Sequence, residues 1–458
     1  MNPNSLSISD NPPLNEADDY VEHLAQLSEF MQIVTQEDIC NEFGVLLIPK
    51  GSLVKKSIAD RLSGHKMEKS LDETVALDKL IDQQQIHSDI EALIDEYPDF
   101  KTIHTELNFS NKLKHLTSVN NIPRLLRQKL SVLKERLPDV YKRSLFSAWF
   151  GSMIASDMEL EPTQIQHTYF VGLYHDLGLL HIPPELVSST KFSEQQWQTM
   201  KSHVFISKQI VENAFMYADE VSQAIVQHHE RCDGTGYPRK LDGTKLNSVS
   251  QIISLCDMFY NIRTREFANA GKNMSDFKAY LQVNTETYFF NTYKAAYAIL
   301  SRSGVQSENS INKENFLQFA KRILNRSQQF QSIKDLSKDF LELIKDVKLG
   351  KHGTILVGGI QNITGIVERA GLVGDDINHW LESINENDYD SCVKELVEME
   401  AFQQELLWLA KKSARMMPLF LIHELPAQVS NNDEFTSLVK RIESVLVECW
   451  KDQALTTK

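Results

Sequence analysis

Two groups of residues in the middle of the chain have side chains of the types that bind metal ions. His175 is followed directly by Asp176, and the pair His228-His229 stands just before a loop rich in glycine. Neutral imidazoles and carboxylates are common ligands of divalent transition metals. The candidate ligands, which include two further residues of the same types, are His175, Asp176, His203, His228, His229 and Asp257.

The spacing of these residues favours one shared site on a helical bundle. Successive positions from Asp176 to Asp257 are roughly 25 to 28 residues apart, which is enough for about one helix and its connection. Helical bundles build metal centres from inward-facing histidines and carboxylates on facing helices. Asp257 lies in an apolar stretch, where an unpaired charge is costly, so we expect it to be paired or metal-bound. A His-Asp pair at the end of a helix is also common without a metal, and this alternative stays open for the pair taken alone.

The loop after His229 has the composition of a tight turn beside a binding site. Gly234 and Gly236 tolerate positive φ and let the backbone approach a ligand. Tyr237 offers a flat aromatic face to a base or a ribose, and Pro238 fixes the exit of the turn. A plain surface turn would explain the glycines but not the two histidines directly before them.

The order of these motifs resembles that of the HD-GYP family, a branch of the HD superfamily of metal-dependent phosphohydrolases. The resemblance covers residues of about 131–270, with less similar helices continuing to about 325. It implies an HD-type helical bundle that hydrolyses a cyclic dinucleotide, in the first place cyclic di-GMP, with two or three divalent ions such as iron or manganese. It also implies that the six residues above are the metal ligands and that Asp176, which bridges the ions, is the catalytic residue. The residues implied in substrate binding are Gly236, Tyr237, Pro238 and Arg265.

Two positions depart from the family pattern. Where the family has its first metal-binding His, this chain has Arg143, and arginine is permanently cationic and cannot ligate a metal. The Lys that follows the His-Asp motif in the family is Leu179 here, which removes a positive charge expected to help hold the phosphate. We expect Arg143 either to lie near the cavity and pair with an acidic residue such as Asp176 or Asp257, or to point away altogether.

These departures leave a second function open, that of a catalytically silent HD-GYP-like protein that binds a nucleotide or a protein partner. Such a protein would signal through its flanking regions, and the sequence also leaves a homodimer and a signalling partner open. With a net charge of −14, the chain is not expected to bind nucleic-acid polymers or anionic membranes in general.

The composition, with 42% hydrophobic and 24% charged residues, is that of an ordinary globular protein, and the patterning is mainly α-helical. The five scattered cysteines are typical of reduced thiols in a cytoplasmic protein. The most apolar stretch, near residues 416–422, is too short to span a bilayer. In chain order the patterning predicts a polar tail (1–27), a small N-terminal α/β module (28–75), connecting helices (76–130), an HD-GYP-like domain (131–325) and a helical C-terminal extension (326–458).

Overall fold

The computed structural model of the chain is mainly α-helical, as predicted. It describes residues 19–62, 65–118, 121–189, 191–214, 219–268, 271–283, 289–306, 311–371, 373–414 and 417–423, together with single positions and short stretches between 433 and 445. The chain divides into two compact units. One comprises Met1–Phe277 with Thr285–Gln306, and the other comprises Lys278–Asn284 with Ser307–Lys458.

The first unit begins with the small module of helices and strands that the sequence predicts. Its strands form two antiparallel pairs, β1 with β4 and β2 with β3. The elements are α1 (Asp19–Leu27), β1 (Ile33–Thr35), β2 (Ile39–Cys40), β3 (Leu46–Ile48), α2 (Lys56–Leu62), α3 (Leu71–Thr74) and β4 (Val75–Leu77).

The prediction of a polar tail over residues 1–27 is wrong for its last part, which forms α1; residues 1–18 lie outside the described residues. Tyr20 of α1 is only 1% exposed and stacks on His181, with the ring centroids 5.1 Å apart. The buried ammonium of Lys129 lies 3.2 Å from the centroid of the Tyr20 ring and 2.8 Å from His181 Nε2. A helix of nine residues is marginal on its own, so these tertiary contacts, which a local pattern does not reveal, stabilise it.

Helices make up most of the rest of the chain. The predicted domain limits at residues 131 and 325 fall inside α7 and α17. A domain boundary is not expected in the middle of a helix that is packed along its whole length. In chain order they are α4 (Gln83–Glu96), α5 (Pro98–Glu106), α6 (Ser110–Ser118), α7 (Arg124–Arg136), α8 (Pro138–Asp157), α9 (Pro162–Tyr174), α10 (Pro184–Val187), α11 (Glu194–Lys201), α12 (His203–Asn213), α13 (Asp219–Gln227), α14 (Ser248–Ile262), α15 (Phe277–Val283), α16 (Phe290–Arg302), α17 (Phe316–Leu343), α18 (Lys351–Ala370), α19 (Asp375–Ser383), α20 (Tyr389–Ala414) and α21 (Met417–His423).

The core of the first unit lies where α8, α9 and α14 pack together. Proline occupies the first turn of α8 and of α9, where its missing N–H leaves no hydrogen bond unmade. Phe146, Trp149 and Phe150 of α8 are fully buried, and Phe150 lies against Phe259 of α14 with ring centroids 5.9 Å apart. This aromatic core fixes the helix that ends before His175 and the two helices that carry Arg143 and Asp257.

The second unit is built from α17 to α21 and the part of α15 that begins at Lys278, and the apolar stripes of these helices form its core. Phe340 of α17 and Leu407 of α20 are fully buried in the same cluster. A partly buried ion pair joins the same two helices, since Arg322 Nη2 lies 2.7 Å from Glu400 Oε1. Among the described residues, no helix of either unit combines the length and apolar character needed to cross a membrane.

Candidate metal centre

The His-Asp motif lies where a buried helix ends. His175 caps α9, and Asp176 directly precedes a short 3-10 turn. Gly178 of this turn lies against α12, where a side chain would collide with the backbone oxygen of His203. Because Gly178 has no side chain, the turn comes close enough to α12 for Asp176 and His203 to meet.

The other four candidate ligands come from three further helices of the same unit. His203 is the first residue of α12, His228 and His229 follow the end of α13, and Asp257 lies within α14. His203 Nε2 lies 3.5 Å from Asp176 Oδ1, and His228 Nε2 lies 3.7 Å from the same oxygen. The sequence-based expectation that residues from successive helices meet in one place is therefore met in the geometry.

These six residues form two overlapping groups of potential metal ligands, and Asp176 belongs to both. Within each group, the potential ligand atoms all lie within 4.8 Å of one another. The groups are Asp176, His203, His228 and His229, and His175, Asp176 and Asp257. We call them the four-residue group and the three-residue group.

Three of the imidazoles are held through Nδ1 and leave Nε2 available to a metal. Nδ1 of His175, His203 and His228 lies 2.9, 2.7 and 2.6 Å from a backbone carbonyl oxygen three residues earlier. A carbonyl only accepts, so Nδ1 donates and Nε2 of the neutral ring carries the lone pair. Among the described residues these three Nε2 atoms and Asp176 Oδ1 are buried without a hydrogen-bond partner. Unpaired buried acceptors are costly, and a divalent ion would satisfy them, so these residues fit a metal.

Burial sets the protonation of the histidines. It lowers the pKa of His203, and it lowers the pKa of His228 and His229 well below the ordinary value. Burial also lowers the pKa of His175, but the neighbouring Asp176 carboxylate outweighs burial and raises it overall. The four-residue group therefore offers neutral imidazoles, which is the form that binds a metal.

Arg143 enters the site from α8 and pairs with both aspartates, which is the first of the two placements expected for it. Its Nε donates to Asp176 Oδ2 at 3.0 Å, its Nη2 contacts the same oxygen, and Nε lies 2.9 Å from Asp257 Oδ1. Burial lowers the pKa of Arg143, but attraction by the two carboxylates outweighs burial and raises it. Burial would raise the pKa of Asp176, yet Arg143 and His175 hold it well below the ordinary value.

The loop after His229 is held by a residue that the sequence analysis did not single out. Glu230 is fully buried, and its carboxylate accepts the backbone N–H of Arg239 at 2.6 Å and that of Leu241 at 3.0 Å. Gly236 lies so close to the backbone of Glu230 that any side chain there would collide with it. The sequence does contain a signal for Glu230. It is a carboxylate directly before a turn whose backbone N–H groups need acceptors.

Tyr237 packs into the site instead of offering an open face. Its ring stacks on His229 with the centroids 4.6 Å apart, and Trp197 meets it edge-on at 5.2 Å. The expectation of a flat face free for a base is therefore not met on the side that His229 covers. Pro238, which follows, is half-buried.

Arg265, the remaining residue implied in substrate binding, lines a cavity of about 290 Å³ beside Arg143. Leu179 lines the same cavity, so both departures from the family pattern face it. Glu96 and Tyr97, from the junction of α4 and α5, also contribute to its wall. No local pattern in the sequence links these two residues to motifs so far along the chain, so they could not be predicted from it.

A buried ion pair anchors the turn that carries Arg265. Arg263 begins a π-helical turn after α14, and its Nε and Nη2 lie 2.6 and 3.1 Å from the two carboxylate oxygens of Asp99. Asp99 also accepts the backbone N–H of Met274 at 2.9 Å. Of the two neighbouring arginines, Arg263 is therefore structural, and Arg265 is the one that lines the cavity.

Comparison with known proteins agrees with the motifs and their geometry. Residues 124–290 match the HD domain family. The His-Asp pair and the Gly-Tyr-Pro loop both lie within this match, which agrees with the resemblance to the HD-GYP family. The match begins at the first residue of α7 and includes all six candidate ligands.

Several curated proteins are similar to this chain. A 3'3'-cGAMP-specific phosphodiesterase 1 from Vibrio cholerae is 26% identical over 245 residues, which cover 53% of this chain and 51% of that protein. A cyclic di-GMP phosphodiesterase from Thermotoga maritima is 26% identical over 133 residues, covering 28% of this chain and 36% of that protein. A cyclic di-GMP phosphodiesterase response regulator from Xanthomonas campestris is 27% identical over 152 residues, covering 31% and 40%. The chain thus spans about half the length of the first relative and less of the others.

Proposed function

We propose that the chain is a metal-dependent phosphodiesterase that hydrolyses a cyclic dinucleotide, with cyclic di-GMP as the first candidate substrate. The observation that carries the proposal is the set of unpaired, buried ligand atoms on Asp176, His203 and His228, next to the Gly-Tyr-Pro loop. The named activities of the relatives, on 3'3'-cGAMP and on cyclic di-GMP, support this class of substrate.

The four-residue group would hold a divalent ion, and iron or manganese suits its mixture of imidazole and carboxylate ligands. Such an ion would act as a Lewis acid toward the phosphodiester. It would also lower the pKa of water, so that hydroxide becomes available to attack the phosphorus atom. Arg143 and Arg265 line the adjoining cavity, where their guanidinium groups would donate to phosphate oxygens. The family resemblance predicts two or three ions, with His175 and Asp257 as ligands of a further ion.

The test is turnover by the full chain, purified without oxygen and loaded with iron or manganese. We expect conversion of cyclic di-GMP or 3'3'-cGAMP to the linear dinucleotide, measured by chromatography. A chelator should abolish the reaction and added metal should restore it. Absence of turnover on both substrates, in protein whose metal content has been verified, would rule out the enzymatic proposal.

The second candidate function is a catalytically silent protein that binds the nucleotide, and Arg143 within the ligand set is the observation that favours it. Such a protein would bind cyclic di-GMP in a calorimetric titration without forming linear product. Its biological effect would also survive Asp176→Ala. A homodimer, a signalling partner and a cytoplasmic location remain predictions for either function.

Replacing Tyr237 with alanine is expected to weaken metal binding by about tenfold. The Tyr237 ring stacks on the imidazole of His229, and without this contact the imidazole is no longer held in place as a ligand. Tyr237→Phe keeps this ring and should behave like the unaltered protein. Titration with manganese measures the metal affinity, and steady-state kinetics measure KM for the dinucleotide. Unchanged metal affinity with a raised KM would instead indicate a direct contact between Tyr237 and the substrate.

A further inference from the structure

The two oxygens of the Asp176 carboxylate face different partners. Oδ1 lies toward the imidazoles of His203 and His228 and has no hydrogen-bond partner among the described residues. Oδ2 accepts hydrogen bonds from Arg143. The carboxylate that both ligand groups share is therefore open to a metal on one side and already paired with a cation on the other.

Arg143 lies where an ion of the three-residue group would have to bind. Its guanidinium contacts Asp176 and lies 2.9 Å from Asp257 Oδ1, so it bridges the two carboxylates of that group. Arginine keeps its proton under all ordinary conditions and offers no lone pair to a metal. A divalent ion added beside it would meet a like charge at short range, in a buried setting where solvent screens charges poorly.

The four-residue group is free of this conflict. It supplies three neutral imidazoles and one unpaired carboxylate oxygen, which is a sufficient set for one transition-metal ion. Among the described residues, His175 Nε2 and Asp257 Oδ1 of the three-residue group also lack a hydrogen-bond partner, but the fixed charge of Arg143 lies beside both carboxylates of that group. The residues thus fit one ion on one side of Asp176, and the charge of Arg143 opposes a second ion on the other.

We propose that this chain holds a single divalent ion, on Asp176, His203, His228 and His229, and that the guanidinium of Arg143 permanently occupies the second cation position between Asp176 and Asp257. The inference rests on the metal site of the proposed function but not on turnover. Arg143 also lines the cavity that Arg265 and Leu179 line, so its charge replaces that of an ion next to the place proposed for the phosphate.

The experiment measures manganese stoichiometry and its magnetic signature in the full chain. Apoprotein is loaded with Mn²⁺, bound metal is counted by mass spectrometry, and the electron paramagnetic resonance spectrum is recorded. We expect one ion per chain with the spectrum of an isolated Mn²⁺. Two or more tightly bound ions in the unaltered protein, or the spectrum of an exchange-coupled pair, would overturn the inference.

Arg143→His tests the cause. It removes the fixed charge and adds a ligand, so we expect two ions per chain and an exchange-coupled spectrum. Arg143→Lys, the matched control, keeps a cation and should stay at one ion. A folded Arg143→His protein that still binds one ion would show that Arg143 is not what excludes the second. Failure of the proposed function can be distinguished from failure of this inference. A protein that binds one ion and shows no turnover would contradict the proposed function but agree with the inference.

Discussion

Asp176→Ala is expected to abolish both metal binding and hydrolysis, which is the largest functional effect that a single substitution in this chain should have. The ion loses its only carboxylate ligand in the four-residue group, so we expect metal affinity to fall by more than about 100-fold and turnover to fall below detection. Metal content after dialysis and the rate of dinucleotide hydrolysis measure the two losses. Retention of one tightly bound ion would show that Asp176 is not a ligand.

The same substitution removes the closest partner of a buried cation, and this second effect has to be separated from the first. Of its carboxylate partners among the described residues, Arg143 would keep Asp257, so we expect the free energy of unfolding to fall by about 3 kcal/mol. Adding Arg143→Leu to Asp176→Ala removes the partly unpaired cation but leaves the Asp257 carboxylate without its partner, so we expect only part of this stability to return. The double variant should still bind no metal, because the ligand is still missing. Denaturant unfolding of the single and double variants measures the recovery.

Glu230→Ala is expected to have the second largest effect, on the stability of the loop as well as on turnover. The change removes a buried charged acceptor from two backbone N–H groups, those of Arg239 and Leu241. Hydrogen bonds to charged groups contribute about 1.5–3 kcal/mol each, so we expect unfolding to become easier by about 3 kcal/mol. His229 directly precedes Glu230, so turnover should fall by at least about tenfold as the loop shifts.

Two variants control for this prediction. Glu230→Gln keeps one acceptor oxygen at the same place and should lie between the alanine variant and the unaltered protein. Asp233→Ala removes a carboxylate from the same loop, but this one is exposed and serves only a local turn with Thr235. We expect it to change stability by less than about 1 kcal/mol. Equal losses in Asp233→Ala and Glu230→Ala would mean that the loop is not held through Glu230.

The sequence was sufficient to predict that the six ligand candidates meet. Residues of ligand type recur at intervals of about one helix and its connection, which places them on successive helices that can face one cavity. His203 at the start of α12 and Asp257 within α14 were identified in this way. The placement of Arg143 was foreseen as one of two alternatives, since a buried cation needs an anion and the candidate anions were already in view. That it pairs with both aspartates depends on distances that only the fold defines.

What the sequence did not reveal depends on contacts between distant segments. Glu96 and Tyr97 line the cavity of Arg265 because α4 and α5 pack beside the domain, and helix periodicity carries no information about such a neighbour. The contact of Tyr237 with Trp197 is a similar case, since it joins two segments with no shared motif. Local patterns report which face of an element is buried, but not what buries it.

The contacts of Tyr20 with Lys129 and His181 join α1 to the part of the chain that matches the HD domain family. Lys129 and His181 both lie within the HD match, but the aromatic ring that covers the ammonium comes from α1, about a hundred residues before that match begins. His181 ends the same short turn that begins directly after Asp176. A fragment cut at the start of the recognised domain would therefore leave an ammonium without its aromatic cover a few residues from the shared carboxylate. Loss of α1 would therefore reach the candidate ligands indirectly, through Lys129, His181 and the turn that follows Asp176.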